Sequence, residues 1–234
     1  MQRLKVLVLA LLGVLALSAV AVATASAALP TVLNRAKTES AFKFTGKGGT
    51  AVLEVLQAAF VIECTSQTSE GEFEGKRPLG TVHIHFLGCI VKGTANACTG
   101  LGEASGVILV LTAFHIVDVL RAAKALGGAV FFLITTPVHF ACTVAGLTKL
   151  ILVKGELLCP ITPVNVLAKE FTVKCEKGAE VGDPALVKYL NAEGKEVELK
   201  EGLLSSESDG GEFKMSSQQA QSSLVPTEEM EIMA

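Results

Sequence analysis

The chain has no tryptophan and a single tyrosine, Tyr189. Surfaces that hold sugars or single-stranded nucleic acids stack rings on indole or phenol faces, so no such platform is expected. The eleven phenylalanines can pack a core but cannot supply that platform. Basic charge is also short, with 20 Lys and Arg against 23 Asp and Glu. That balance gives solubility and steers nothing toward nucleic acid or anionic lipid. No Cys-x-x-Cys pair occurs, the spacing that lets two thiolates reach one ion. After residue 28 no apolar run reaches the ~18 residues of a spanning helix, and helix signals are scarce.

What is present begins at the N-terminus. Arg3 and Lys5 precede an apolar run over residues 6–22, interrupted only by Ser18. Small residues follow, and Ala25-Ser26-Ala27 fits the A-x-A pattern that signal peptidase needs. Residues 1–27 therefore read as a secretory signal peptide cut after Ala27. Leu29-Pro30 stops a helix from running on. The alternative is an uncleaved helix that tethers a surface protein, because the run approaches the ~20 residues of a membrane span. Either way the expected location is extracellular or on the cell envelope, with no stable span once the leader is cut.

Six cysteines lie beyond that point: Cys64, Cys89, Cys98, Cys142, Cys159 and Cys175. An even number in an oxidising compartment implies disulfides. Spacing alone does not choose among the connectivities. The preferred arrangement joins Cys89 to Cys98 across a short loop and Cys64 to Cys142.

The remaining chain is long enough for one ample domain or two small ones. Phe42-Lys43-Phe44-Thr45 alternates, as a half-buried strand does. Residues 81–87 are the clearest case: Val82, Ile84 and Phe86 share one face, and Thr81, His83 and His85 the other. Residues 107–113 are continuously apolar, which suits a strand buried on both faces. Residues 113–126 are ambiguous: His115, Asp118 and Arg121 recur every third residue, yet Ile and Val favour a strand. Residues 129–135, 138–143 and 147–158 read as further strands, punctuated by Pro137, Gly146 and Pro160. Two hairpins are expected, one around residues 191–194 and one around 209–211. Residues 216–223 are polar and low in complexity.

Among candidate sites, His83-x-His85 is the sharpest. Residues two apart on a strand project from one face and can present two nitrogen ligands to one metal. His139 or His115 would supply a third; the favoured reading is that the pair lies on a solvated sheet face, because no Asp or Glu partner that would orient the imidazoles is identifiable. Glu70, Glu72 and Glu74 share one strand face and read as a solvated charge stripe. Ser105 sits one place too late in Gly102-Glu103-Ala104-Ser105-Gly106 for a nucleophile elbow. Gly100, Gly102 and Gly106 lack dinucleotide-loop spacing. Gly46-Lys47-Gly48-Gly49-Thr50 lacks that of a phosphate loop. Both read as turns, so no cofactor is expected.

Ile62-Glu63-Cys64, Gly71-Glu72-Phe73 and His85-Phe86-Leu87-Gly88-Cys89 with Cys98 form a familiar series. Val153-Lys154-Gly155, Pro160-Ile161-Thr162-Pro163-Val164-Asn165 and residues 229–234 extend it. Together they resemble a group of secreted, β-rich actinobacterial proteins of unknown function. The resemblance implies an exported β protein and transfers no catalytic residue. In it Cys159 and Cys175 look like additions, which implies that they pair with each other.

The expectation is thus a mainly β chain: an antiparallel sandwich or barrel-like domain over residues 28–226, or two small lobes divided near 160. At most one short helix falls near 113–126, and residues 227–234 form an edge strand or tail. The expected function is a non-enzymatic structural or binding role in the envelope or outside the cell. The alternative is a secreted hydrolase or metal-binding protein using His83 and His85.

Overall fold

A computed structural model of the chain describes residues 30–38, 41–55, 61–75, 79–121, 124–175, 187–190, 195–199, 204–211 and 214–233. The expected signal peptide, residues 1–27, lies outside them. Every regular element among the described residues is a strand. In chain order they are β1 (Thr31–Asn34), β2 (Ala41–Gly48), β3 (Ala51–Val55), β4 (Val61–Cys64), β5 (Ser66–Glu74) and β6 (Leu79–Leu87). Then come β7 (Ile90–Val91), β8 (Cys98–Gly100), β9 (Val107–Arg121), β10 (Lys124–Val144), β11 (Leu147–Thr162) and β12 (Leu167–Ala168). The last are β13 (Phe171–Cys175), β14 (Val187–Leu190), β15 (Glu196–Leu199), β16 (Leu204–Ser208), β17 (Lys214–Pro226) and β18 (Met230–Met233).

Eight of these close an antiparallel barrel in the order β2–β5–β6–β9–β10–β11–β13–β17, and β17 pairs back onto β2. The order around the ring is the order along the chain, so the barrel is a meander, which leaves no free edge on that ring. The segment read as ambiguous, residues 113–126, is strand and not helix where it is described: residues 113–121 end β9 and residues 124–126 open β10. Nor is there a division near residue 160, because β11 runs through it from Leu147 to Thr162.

The barrel continues upward. Gly48 opposes Gln67 and Ala51 opposes Cys64, so β2 and β3 are one long strand bent at Gly49-Thr50. The ladder of β5 with β6 likewise runs on as β4 with β7. At this upper level β8 pairs β10, and β16 bridges β11 and β17. Pro137 falls where β10 changes register, between Ile134 and Val138. A bulge is where a sheet tolerates a residue without an N–H, so the two strands expected there are one.

Alternation fills the interior. Phe42, Phe44, Phe73, Phe114 and Phe171 form one cluster at the lower level. Phe114 meets Phe73 edge-on at 5.0 Å and Phe44 at 5.8 Å. Ile62, Ile108, Phe140 and Ile151 belong to a second cluster above it. The lower cluster also takes Val32, Met230 and Ile232 from a separate three-stranded sheet, β1–β18–β12. Residues 230–233 are therefore the middle strand of that small sheet, and not an edge strand or tail.

The bridges are Cys64–Cys89, Cys98–Cys142 and Cys159–Cys175. The third is the pair that the resemblance implied; the other two correct the expected pairing. Cys64, Cys89, Cys98 and Cys142 form one row across β4, the start of β7, β8 and β10. Cys89 and Cys98 are neighbours in that row, but the Cys98 N–H donates to the Cys89 carbonyl at 2.8 Å. Directly opposed residues that share hydrogen bonds stand farther apart than those that do not. The bonded pairs have Cα separations of 3.9 and 4.1 Å, the closer kind of spacing. Cys64 and Cys142 lie three strand spacings apart, about 14 Å by sheet geometry, beyond the reach of a disulfide. Three bridges belong to a fold made in an oxidising compartment.

Candidate functional site

An eight-stranded barrel is wide enough for side chains to fill it or for one small ligand to sit inside. Here filling is incomplete. Where the two core clusters meet, a cavity of about 100 Å³ remains among Ile108, Val110, Phe132, Val138, Phe140 and the opposite wall. A smaller one of about 40 Å³ adjoins it below, beside Phe44, Phe73 and Phe114. Gln67, Ile84, Phe132, Val173 and Ser222 line both, so the two are chambers of one lumen.

The lumen has two unlike sides. From β6 through β11 the described residues that line the chambers are apolar except for Thr112. Its hydroxyl is held inside the wall, with the Ala113 and Leu133 carbonyls, each at 2.9 Å, as the acceptors within reach of its one hydrogen. On the side formed by β5, β2 and β17 the inward positions include Gln67, Ser69, Gly46, Gly48, Gln218 and Ser222, alongside Phe44, Phe73, Ala220 and Leu224. The two glycines are a consequence of close approach. A Cβ on Gly46 would stand 2.3 Å from Ser69 Oγ, and one on Gly48 would stand 2.4 Å from Gln67 Nε2. The polar side chains of β5 therefore lie across the bare backbone of β2, and Gln67 Nε2 reaches the Gln221 carbonyl on β17 at 3.1 Å. Among the described residues no charged side chain lines either chamber.

The same wall is interrupted. β17 pairs β2 as far as Ser222 with Gly48, and resumes with β3 at Gln219 with Val52. A shallow groove crosses the outer surface there, bordered by Lys47, Gly49, Thr50 and Gln221, and Ser222 borders it too.

The histidines are elsewhere. His83 and His85 project outward from β6, opposite Leu111 and Leu109 of β9. His83 is exposed and faces Glu70 on β5; His85 is half-buried and faces Thr68. His139 is exposed on β10, with β9 between it and β6. Among the described residues no three His, Cys, Asp or Glu side chains are grouped to hold a metal ion. His115 stacks on Phe131 at 4.8 Å, and Phe131 packs on Tyr189 at 5.2 Å. Tyr189 comes from β14, which extends the sheet along β9 beyond the end of β6. Burial and the Glu156 carboxylate push its phenol pKa up. Asp118, inward on β9 by alternation, is buried; its Oδ1 meets no donor among the described residues, and desolvation raises its pKa.

Glu70, Glu72 and Glu74 form an outward stripe on β5, facing Thr45, Lys43 and Ala41. Ser105 is exposed in the turn before β9. The sequence Gly46 to Thr50 is barrel wall and its break, not a phosphate loop. The lumen residues escaped sequence reasoning because Gln218 and Ser222 lie in the polar stretch 216–223. Ala220 and Leu224, alternating with them toward the interior, are the only trace of a strand there.

Comparison with family models, with curated proteins and with solved structures finds no match to the chain. No helix among the described residues is long and apolar enough to cross a membrane.

Proposed function

We propose that this is an exported, non-enzymatic binding protein that carries a small molecule in the lumen of its barrel. The observation that carries the reading is the cavity of about 100 Å³ left between two well-filled core clusters. An apolar cavity of roughly 150 Å³ takes a molecule of benzene's size, and one water needs only about 10–15 Å³. This lumen falls between, with the second chamber adjoining it. Export rests on the leader pattern and the three bridges; the outward, separated histidines give the hydrolase or metal reading no cluster to use.

Thermal unfolding of the oxidised protein, alone and with saturating small neutral probes such as benzene and phenol, tests the reading. A ligand that binds only the folded state at ten times its Kd adds about 1.4 kcal/mol, a rise of about 3–6 °C for a chain of this size. Failure of every neutral probe to raise the melting temperature overturns it.

A further inference from the structure

We infer that the lumen selects a neutral amphiphile: a compact hydrocarbon carrying one uncharged hydrogen-bonding group, such as a phenol, an alcohol or an amide. The inference rests on the lumen being a ligand site and names what that site prefers.

A lumen built only to exclude water would be apolar all round. This one is divided lengthwise. Ile108, Val110, Phe132, Val138 and Phe140 make an apolar side with no hydrogen-bonding side chain among them. Across from them Gln218 and Ser222 of β17 and Gln67 of β5 make a polar seam. Gln67 is buried and Gln218 and Ser222 are half-buried, and their placement on one side offers a single polar group of a ligand several bonding positions. Gln67 is held in place by the Gln221 carbonyl, so the seam is pre-arranged and does not have to be ordered on binding.

The chemistry also excludes. With no Lys, Arg, His, Asp or Glu on either chamber among the described residues, a carboxylate or an amine would leave water without a counter-charge, at a heavy desolvation cost. A fatty acid or an ammonium ion is thus a poor occupant, and a neutral alcohol of similar shape a good one. Position agrees with this. Ser222 borders both chambers and also the surface groove at the break between β2 and β3. The polar end of the ligand lies at the seam on the Ser222 side, and the hydrocarbon points across the barrel.

The experiment compares benzene, phenol and benzoate, which share a ring and differ in the polar group. Binding is read by ligand-observed NMR and by thermal shift on the oxidised full-length mature chain, in wild type, Ser222→Ala and Gln218→Met. Phenol is expected to bind and benzoate not to. Each substitution should weaken phenol about 2- to 10-fold, the range of one lost hydrogen bond, and leave benzene within about 2-fold. Phenol affinity that neither variant changes, or benzoate binding as tightly as phenol, overturns the selectivity while leaving the lumen a ligand site. Binding of none of the three to folded wild-type protein removes the site itself.

Discussion

The side chain of Gln67 lies across Gly48, where a single methyl group would stand 2.4 Å from its Nε2. The same methyl would stand 2.4 Å from the Gln221 carbonyl oxygen, which is backbone and cannot swing away. Gly48→Ala is therefore expected to cost about 1–3 kcal/mol, the range for overpacking, or about 2–12 °C in melting temperature. Gly49, one residue on, has nothing within 4 Å of the same position. Gly49→Ala should stay within about 0.5 kcal/mol of wild type. Equal losses for the two substitutions would show that the crowding at Gly48 is not what the geometry states.

The bridges can be read directly. Trypsin cuts after Lys76, Lys92, Arg121 and Lys149, among other sites, which separates Cys64, Cys89, Cys98 and Cys142 onto four peptides. A non-reduced digest should join the Cys64 peptide to that of Cys89, and the Cys98 peptide to that of Cys142. A Cys89–Cys98 link would refute the row described above. Stability should follow loop length, with separations of 16, 25 and 44 residues for Cys159–Cys175, Cys64–Cys89 and Cys98–Cys142. The chain-entropy model gives about 3.1, 3.5 and 4.0 kcal/mol. Urea unfolding of the three paired Cys→Ser variants measures the order.

Asp118 sets a pH dependence. Burial raises its pKa, so the folded state holds the proton more firmly than the unfolded chain does. Stability from this group therefore falls as pH rises from the unfolded value, ~3.9, through the raised folded one. Asp118→Asn removes the buried charge and should raise the melting temperature at pH 7, by about 2–4 °C for each ~1 kcal/mol recovered. The gain should vanish below about pH 4. A gain that persists unchanged at pH 3 would mean that the charge is not its cause.

His83 stands on the outer face, with no metal-holding group around it among the described residues. His83→Ala should leave stability within about 0.5 kcal/mol, and native mass spectra with equimolar zinc should match wild type. A metal adduct lost only in the variant would reopen the metal reading.

Much of the wall was legible in the chain. Phe42 and Phe44, and Val82 and Ile84, announce inward faces by their spacing, and they do point inward. Pro137 was read as a strand end, because a missing N–H usually ends pairing; the bulge absorbs it instead. The polar run 216–223 gave little sign of β17, because strand character there comes from four different partners, β2, β3, β13 and β16. A segment paired on both edges needs no strong propensity of its own.

Sequence alone settles the local terms of this protein. Period-two alternation makes the segments strands. Which cysteine meets which, where the barrel closes and what faces the lumen are decided only by tertiary structure. Closure joins Phe44 to Pro226 and Gly48 to Ser222, positions at opposite ends of the ring's chain. Such a register is set by packing summed around the ring, and one step of slip would turn Gln67, Ser222 and their neighbours to the outer face. No local pattern carries that information, because the residues that specify it are strangers in sequence until the barrel shuts.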